Sequence, residues 1–128
     1  MKFKAIVFDI DGTAIPTQLN ATPSLRLIKT IKNAQKRVKI CAATGRSLPH
    51  ARKILQSLDL KDPCIISGGT QIIDPTTEKT LWEKRLSELQ VTQVMKLYYP
   101  YSYNVGFSDE IEGMPAKNKK IHGSERII

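Results

Sequence analysis

Nowhere in the sequence do apolar residues run for the ~20 positions that a membrane-crossing helix needs, so no helical span is expected. A secretory leader is not expected either: Asp9 interrupts the first apolar run, and no small-residue cleavage site follows it. The expected compartment is therefore the cytoplasm. Cysteine is scarce, at two residues. Cys41 and Cys64 both lie in apolar runs that read as buried strands, which suits free core thiols better than a disulfide. Aromatic residues make up 6% of the chain, and residues 1–74 contain only Phe3 and Phe8. Single-stranded nucleic acid is gripped by stacking its bases on aromatic faces, so no such partner is expected.

Positive charge is plentiful by contrast. The 128 residues carry 20 Lys and Arg against 12 Asp and Glu, a formal charge of +8. Residues 1–74 hold 12 of the basic residues against five acidic ones, so the basicity belongs to the first part of the chain. Such a field attracts anionic substrates. An apolar content of 41% suffices for one packed core.

The organising stretch is Phe3 to Thr13, in which an apolar run ends in two carboxylates one residue apart and then a glycine. Ala5 to Phe8 is short, branched and aromatic with no polar alternation, which predicts a strand buried on both faces. Asp9 and Asp11 then emerge at its carboxyl end, the edge of an open α/β sheet where ligands bind. Side chains at i and i+2 of an extended segment point the same way, so the two acids are expected to share one small volume. Like charges held together are costly unless a cation or a shared proton offsets them. Mg2+, which takes one or two carboxylates and keeps waters and phosphate oxygens, is the simplest remedy. A turn after a strand, where Asp and Gly are common, is the plain alternative.

Further along, Thr22-Pro23-Ser24 offers a helix start with Thr22 as its cap. Leu25, Ile28, Ile31 and Ala34 then recur at helical spacing, as in an amphipathic crossover helix. Val38 to Ala43 reads as a second strand, delivering Thr44, Gly45 and Arg46 to the same sheet edge as the acids. Thr44 offers a hydroxyl to an anion, Gly45 permits close approach, and Arg46 brings fixed positive charge. A helix cap for Thr44 and a structural ion pair for Arg46 are the competing roles. A second helix with Pro49 in its first turn carries Ala51, Ile54, Leu55 and Leu58 inward. Cys64 to Ile66 is a third strand, ending in Ser67-Gly68-Gly69-Thr70, which either lines the site or only turns the chain.

The pair Asp9-Ile10-Asp11-Gly12-Thr13 and Ala43-Thr44-Gly45-Arg46 resembles the first two signatures of the haloacid dehalogenase superfamily of phosphohydrolases. With Ser67-Gly68-Gly69-Thr70 after a third apolar run, the chain looks like the sugar-phosphatase-like, Cof-type branch, whose cap is inserted after the third core strand. Those families usually carry Asn where Gly68 stands. The resemblance implies an α/β fold: a Rossmann-like, doubly wound parallel sheet, partial here, followed by the beginning of an α+β cap. It implies that Asp9 is the nucleophile and becomes an aspartyl phosphate, while Asp11 protonates the leaving oxygen and then activates water. It further implies Mg2+ held by Asp9 and the backbone carbonyl of Asp11, and Thr44 gripping a phosphoryl oxygen. The substrate class implied is a small sugar or organic phosphate. Dehalogenase members lack an acid at Asp11 and transport ATPases carry Thr there, so ester hydrolysis is preferred; a phosphomutase of the same lineage would use the same two acids. A phospho-receiver domain is a poor fit, because no Asp stands at the later strand ends.

Residues 1–78 are expected to form the core and residues 79–128 the start of the cap with a loosely ordered tail. Gln71 to Ile73 and Thr80 to Trp82 read as a hairpin, and Ser87 to Tyr98 as a helix facing inward with Leu86, Leu89, Val94 and Leu97. The tyrosines around Pro100 and a strand from Tyr103 to Phe107 would follow, then a poorly packed stretch from Ser108 to Ile128. The later lysine and Gly-Asp-rich loop that the family uses are not found. A leading part of a longer enzyme, or a non-catalytic truncated module, is therefore expected, with an unfinished sheet edge after the third strand through which two copies could pair.

Overall fold

The computed structural model describes residues 3–17 and 21–98. The elements run β1 (Ala5–Asp9), α1 (Leu25–Ala34), β2 (Lys39–Ala43), α2 (Leu48–Ser57), β3 (Cys64–Ile66), a single 3-10 turn (Ser67–Gly69), β4 (Gln71–Ile73), β5 (Thr80–Glu83) and α3 (Glu88–Tyr98). One five-stranded sheet has the order β1-β2-β3-β4-β5. β1, β2 and β3 are parallel and joined by α1 and α2, as β-α-β crossovers require; β4 and β5 continue the sheet as an antiparallel hairpin. Compact units divide at Glu83, with Met1–Glu83 in the first and Lys84–Ile128 in the second.

The core explains the crossovers. Ile40 and Ala42 are two apart on β2, Cys64 and Ile66 two apart on β3, and all four are buried with Ile31 of α1 and Ala51, Ile54 and Leu55 of α2. The α2 stripe, with Leu58 closing it, is the face its spacing predicts. For α1 the outcome is mixed. Ile31 is buried and Ile28 and Ala34 pack against the core, but Leu25 in the first turn is exposed. Its cap is Ser24, whose Oγ accepts from the Leu27 N–H at 3.2 Å, rather than Thr22. Both hydroxyl residues flank Pro23; the helix begins one residue after Ser24, which leaves that hydroxyl within reach of the third helical amide.

β1 departs from expectation. Its residues are not buried on both faces: Ile6 is 47% and Val7 56% exposed. The strand is the outermost of the sheet and pairs only with β2, so one edge is unmatched among the described residues. An open, mainly apolar groove of about 940 Å3 lies here, lined by Phe3, Ile6, Val7, Asn33, Arg37 and Val38 among others. α3 departs in part from its expected face, with Leu86 and Val94 half-buried. Val91 and Met95 are buried, while Leu89 and Leu97 are exposed. The tyrosines beyond Tyr98, the strand from Tyr103 to Phe107 and the stretch from Ser108 onward lie outside the described residues.

Candidate active site

Register brings the strand ends together. Asp9 pairs with Ala43, and Ala43 with Ile65, so the loops after β1, β2 and β3 leave the sheet side by side. Backbone bonds tie the second loop to the third: the Ser67 N–H donates to the Arg46 carbonyl at 2.8 Å, and the Gly68 N–H to the Thr44 carbonyl at 3.3 Å. The first loop is pinned by two buried apolar residues, Ile10 and Ile15. Gly12 sits between them at φ 75°, a conformation costly for a residue with a Cβ, and its N–H donates to the Ile15 carbonyl at 2.8 Å. The Ala14 and Ile15 amides both return to the Ile10 carbonyl, making a tight loop of what the sequence leaves irregular.

Within this loop cluster, Asp11, Thr44 and Arg46 are in mutual contact. Arg46 Nε donates to Asp11 Oδ2 at 2.9 Å and Nη2 to Oδ1 at 2.6 Å, a bidentate fork. Thr44 Oγ1 reaches Asp11 Oδ2 at 3.4 Å and accepts from the Arg46 N–H at 3.1 Å. The hydrogen bonds and charge of Arg46 hold the Asp11 carboxyl below its ordinary value, against a smaller opposing effect of burial, and the same contact raises the guanidinium. Thr44 is buried, yet it does not cap α2; Ser47 stands at that N-cap, with its Oγ 2.9 Å from His50 Nδ1.

Asp9 is exposed and has a separate partner: Thr13 Oγ1 donates to its Oδ2 at 3.1 Å. That contact is not assigned from the sequence, although Thr13 at i+4 across a glycine turn was within reach. Gly45 lies exposed on the second loop, where an added Cβ would meet open space, so nothing in the protein itself demands glycine there. Ser67 combines φ 53° with a buried Oγ that finds no partner among the described residues. Gly68 and Gly69 follow it at φ 62° and 92°.

The donor set limits the metal the cluster suits. Among the described residues, no three His, Cys, Asp or Glu side chains gather as a metal cage. Asp9 presents an exposed carboxylate whose Oδ1 has no hydrogen-bond partner among the described residues, and Asp11 has its carboxylate engaged by Arg46. One carboxylate and a backbone carbonyl fit a hard ion such as Mg2+, which takes few protein ligands and fills its octahedron with water and phosphate oxygens.

Residues 6–126 match the haloacid dehalogenase-like hydrolase family. The chain belongs to that family. This haloacid dehalogenase-like hydrolase is 31% identical over 134 residues to a Mycoplasma pneumoniae protein whose name provisionally calls it a phosphatase, a match covering 98% of the chain and 47% of the relative. Its fold matches a haloacid dehalogenase-like hydrolase of Bacillus subtilis with a TM-score of 0.70 at 21% identity, over 82% of this chain and 36% of that one. It also matches a subclass IIB sugar phosphatase of the superfamily with a TM-score of 0.61 at 24% identity, over 80% and 38%. The hydrolase chain thus spans about half the length of the Mycoplasma pneumoniae relative. No helix among its described residues is long and apolar enough to cross a membrane.

Proposed function

We propose that this site hydrolyses phosphomonoesters through a phosphoryl group carried on Asp9. The carrying observation is the register that sets the exposed Asp9 carboxylate beside a loop cluster holding Asp11, Thr44 and Arg46. An Asp9 oxygen forms a bond to phosphorus while the ester oxygen leaves with the bonding pair and takes a proton from Asp11. Water then attacks the same phosphorus, Asp11 takes its proton, and inorganic phosphate departs with Asp9 restored. The Thr44 hydroxyl and the positive charge of Arg46 stabilise the phosphoryl oxygens, where the transition state spreads its charge. Gly45 leaves room for those oxygens to come close to the backbone. Mg2+ on Asp9 and the Asp11 carbonyl supplies charge neutralisation there when bound.

A small sugar or organic phosphate suits this reading, which draws support from the subclass IIB sugar phosphatase of like fold. Residues 79–128, α3 among them, are read as the beginning of a cap. Cys41 and Cys64 are free thiols, in keeping with a cytoplasmic protein. The edge expected open after β3 is covered by β4, so a second copy would instead pair at the open β1 edge, where Ile6 and Val7 are exposed. A second reading, a truncated module without activity of its own, is favoured by the coverage of only 47% of its relative.

The test is release of p-nitrophenol from p-nitrophenyl phosphate with and without Mg2+, beside release of phosphate from an alkyl phosphate. Turnover is expected to need the metal. Asp11→Asn is expected to cost the alkyl ester roughly 10²–10⁴-fold and the aryl ester less, because a phenolate leaves without a proton. Equal losses on both esters would remove Asp11 from the acid role. Absence of turnover in the 128-residue chain, with turnover in a longer natural form, would identify a fragment of the enzyme; absence in both would select the truncated module.

A further inference from the structure

Arg46 holds both oxygens of Asp11. Its Nε donates to Oδ1 and Oδ2 at 3.1 and 2.9 Å, its Nη2 to Oδ1 at 2.6 Å, and Thr44 Oγ1 reaches Oδ2 at 3.4 Å. These contacts come from three donors, since the single Nε–H is shared between both oxygens, and the Asp11 side chain keeps 29% of its surface exposed. With the fork closed, both Asp11 oxygens accept charge-assisted bonds that favour the bare carboxylate and hold it toward Arg46, which opposes the proton an acid must bring to a leaving oxygen. The acid and base steps proposed above therefore require the fork to open.

What opens it has to compete for a guanidinium. The backbone of Arg46 is fixed, its N–H on Thr44 Oγ1 and its carbonyl under the Ser67 N–H, so the freedom lies in the side chain. That side chain is 20% exposed and its Nη1 has no hydrogen-bond partner among the described residues. A phosphoryl dianion presents paired oxygens that match the guanidinium edge, as a carboxylate does, but with twice the charge. A monoanion brings no more charge than Asp11 already offers from its tethered position.

We propose that Arg46 is a dianion-gated latch: it clamps Asp11 in the free protein and transfers its fork to an incoming phosphomonoester group, releasing Asp11 only then. The inference rests on the phosphoryl-transfer reading and adds a selectivity to it. Dianionic monoesters unlock the acid; monoanionic diesters do not.

The experiment uses the intact chain and inorganic phosphate at pH 8, followed by the Arg46 Nε–H resonance and the Asp11 side-chain carboxyl carbon in NMR spectra. Arg46→Lys, which keeps the charge and loses the fork, assigns the first signal. Phosphate is expected to move both resonances together and saturably, while dimethyl phosphate at equal concentration moves neither. In Arg46→Lys, the Asp11 carbon should already sit near its phosphate-bound position, and phosphate affinity should fall about tenfold. Unmoved Arg46 and Asp11 signals, or equal response to dimethyl phosphate, overturn the latch. Turnover of p-nitrophenyl phosphate on the same sample separates the two claims. Hydrolysis with unmoved signals removes the latch and leaves the reaction; a responding latch without hydrolysis does the reverse.

Discussion

Thr44→Val separates the two jobs that one hydroxyl can do. The residue is 5% exposed, and valine is nearly its equal in volume, so the substitution opens no cavity. What disappears is the acceptor for the Arg46 N–H at 3.1 Å and the long 3.4 Å contact to Asp11. A buried amide left without a partner costs about 1–3 kcal/mol. Arg46 is only half-buried, so water can partly replace the hydroxyl, and about 1 kcal/mol is expected, a fall of about 4–8 °C in Tm for a domain of this size. The catalytic role proposed for Thr44 would be larger. A hydroxyl aimed at an oxygen that gains charge is worth roughly 10²–10³ in kcat, or about 2.7–4 kcal/mol. Thermal melts and p-nitrophenyl phosphate turnover well below the melting range thus give two independent numbers. Thr44→Ser, which keeps the hydroxyl, should lose stability through the missing methyl yet hold kcat within about tenfold. A valine variant with lowered Tm and undiminished kcat would refute the reasoning and leave Thr44 a purely structural residue.

Leu58→Ala, at a fully buried position closing α2, should cost about 2–5 kcal/mol in urea denaturation, whereas Leu25→Ala at an exposed one should stay within about 0.5 kcal/mol. Acid should weaken the Arg46–Asp11 pair. A carboxyl lowered by folding adds stability above its unfolded pKa, here the ordinary 3.8, and loses it as pH falls through the still lower folded value. The stability gap between wild type and Asp11→Asn is therefore expected to be full at neutral pH and to close only below about pH 4; a gap that closes by pH 6 contradicts the pairing. Cys64 is buried, with its thiol pushed up to about 11 by burial, and should resist a disulfide reagent until the chain unfolds, while the partly exposed Cys41 reacts slowly in the native protein.

Much of this arrangement was legible because it rests on local pattern. The spacing of Ala51, Ile54, Leu55 and Leu58 fixes the inner face of α2, and the apolar runs ending in Asp9, Ala43 and Ile66 fix three strands and the loops they deliver. The exposure of β1 was not legible, since an apolar run says that a strand is able to be buried and not which neighbours it has; here β2 alone pairs with it. For α3 the apolar spacing points to Leu86, Leu89, Val94 and Leu97, yet Leu89 and Leu97 are exposed, Leu86 and Val94 half-buried, and Val91 and Met95 are the buried residues. The fork between Arg46 and Asp11 joins residues 35 positions apart, so only the parallel register of β1 and β2 makes it. The sequence leaves substrate contact and ion pair open for Arg46, and the structure contains the ion pair.

The central claim is that Asp9 carries the phosphoryl group, and rapid acid quench during turnover of p-nitrophenyl phosphate, followed by borohydride reduction and peptide mass analysis, tests it most directly. Conversion of Asp9 alone to homoserine, absent from Asp9→Asn and from samples without Mg2+, is the predicted result. Turnover with Asp9 unmodified, or a phosphoryl adduct on another residue, would contradict it.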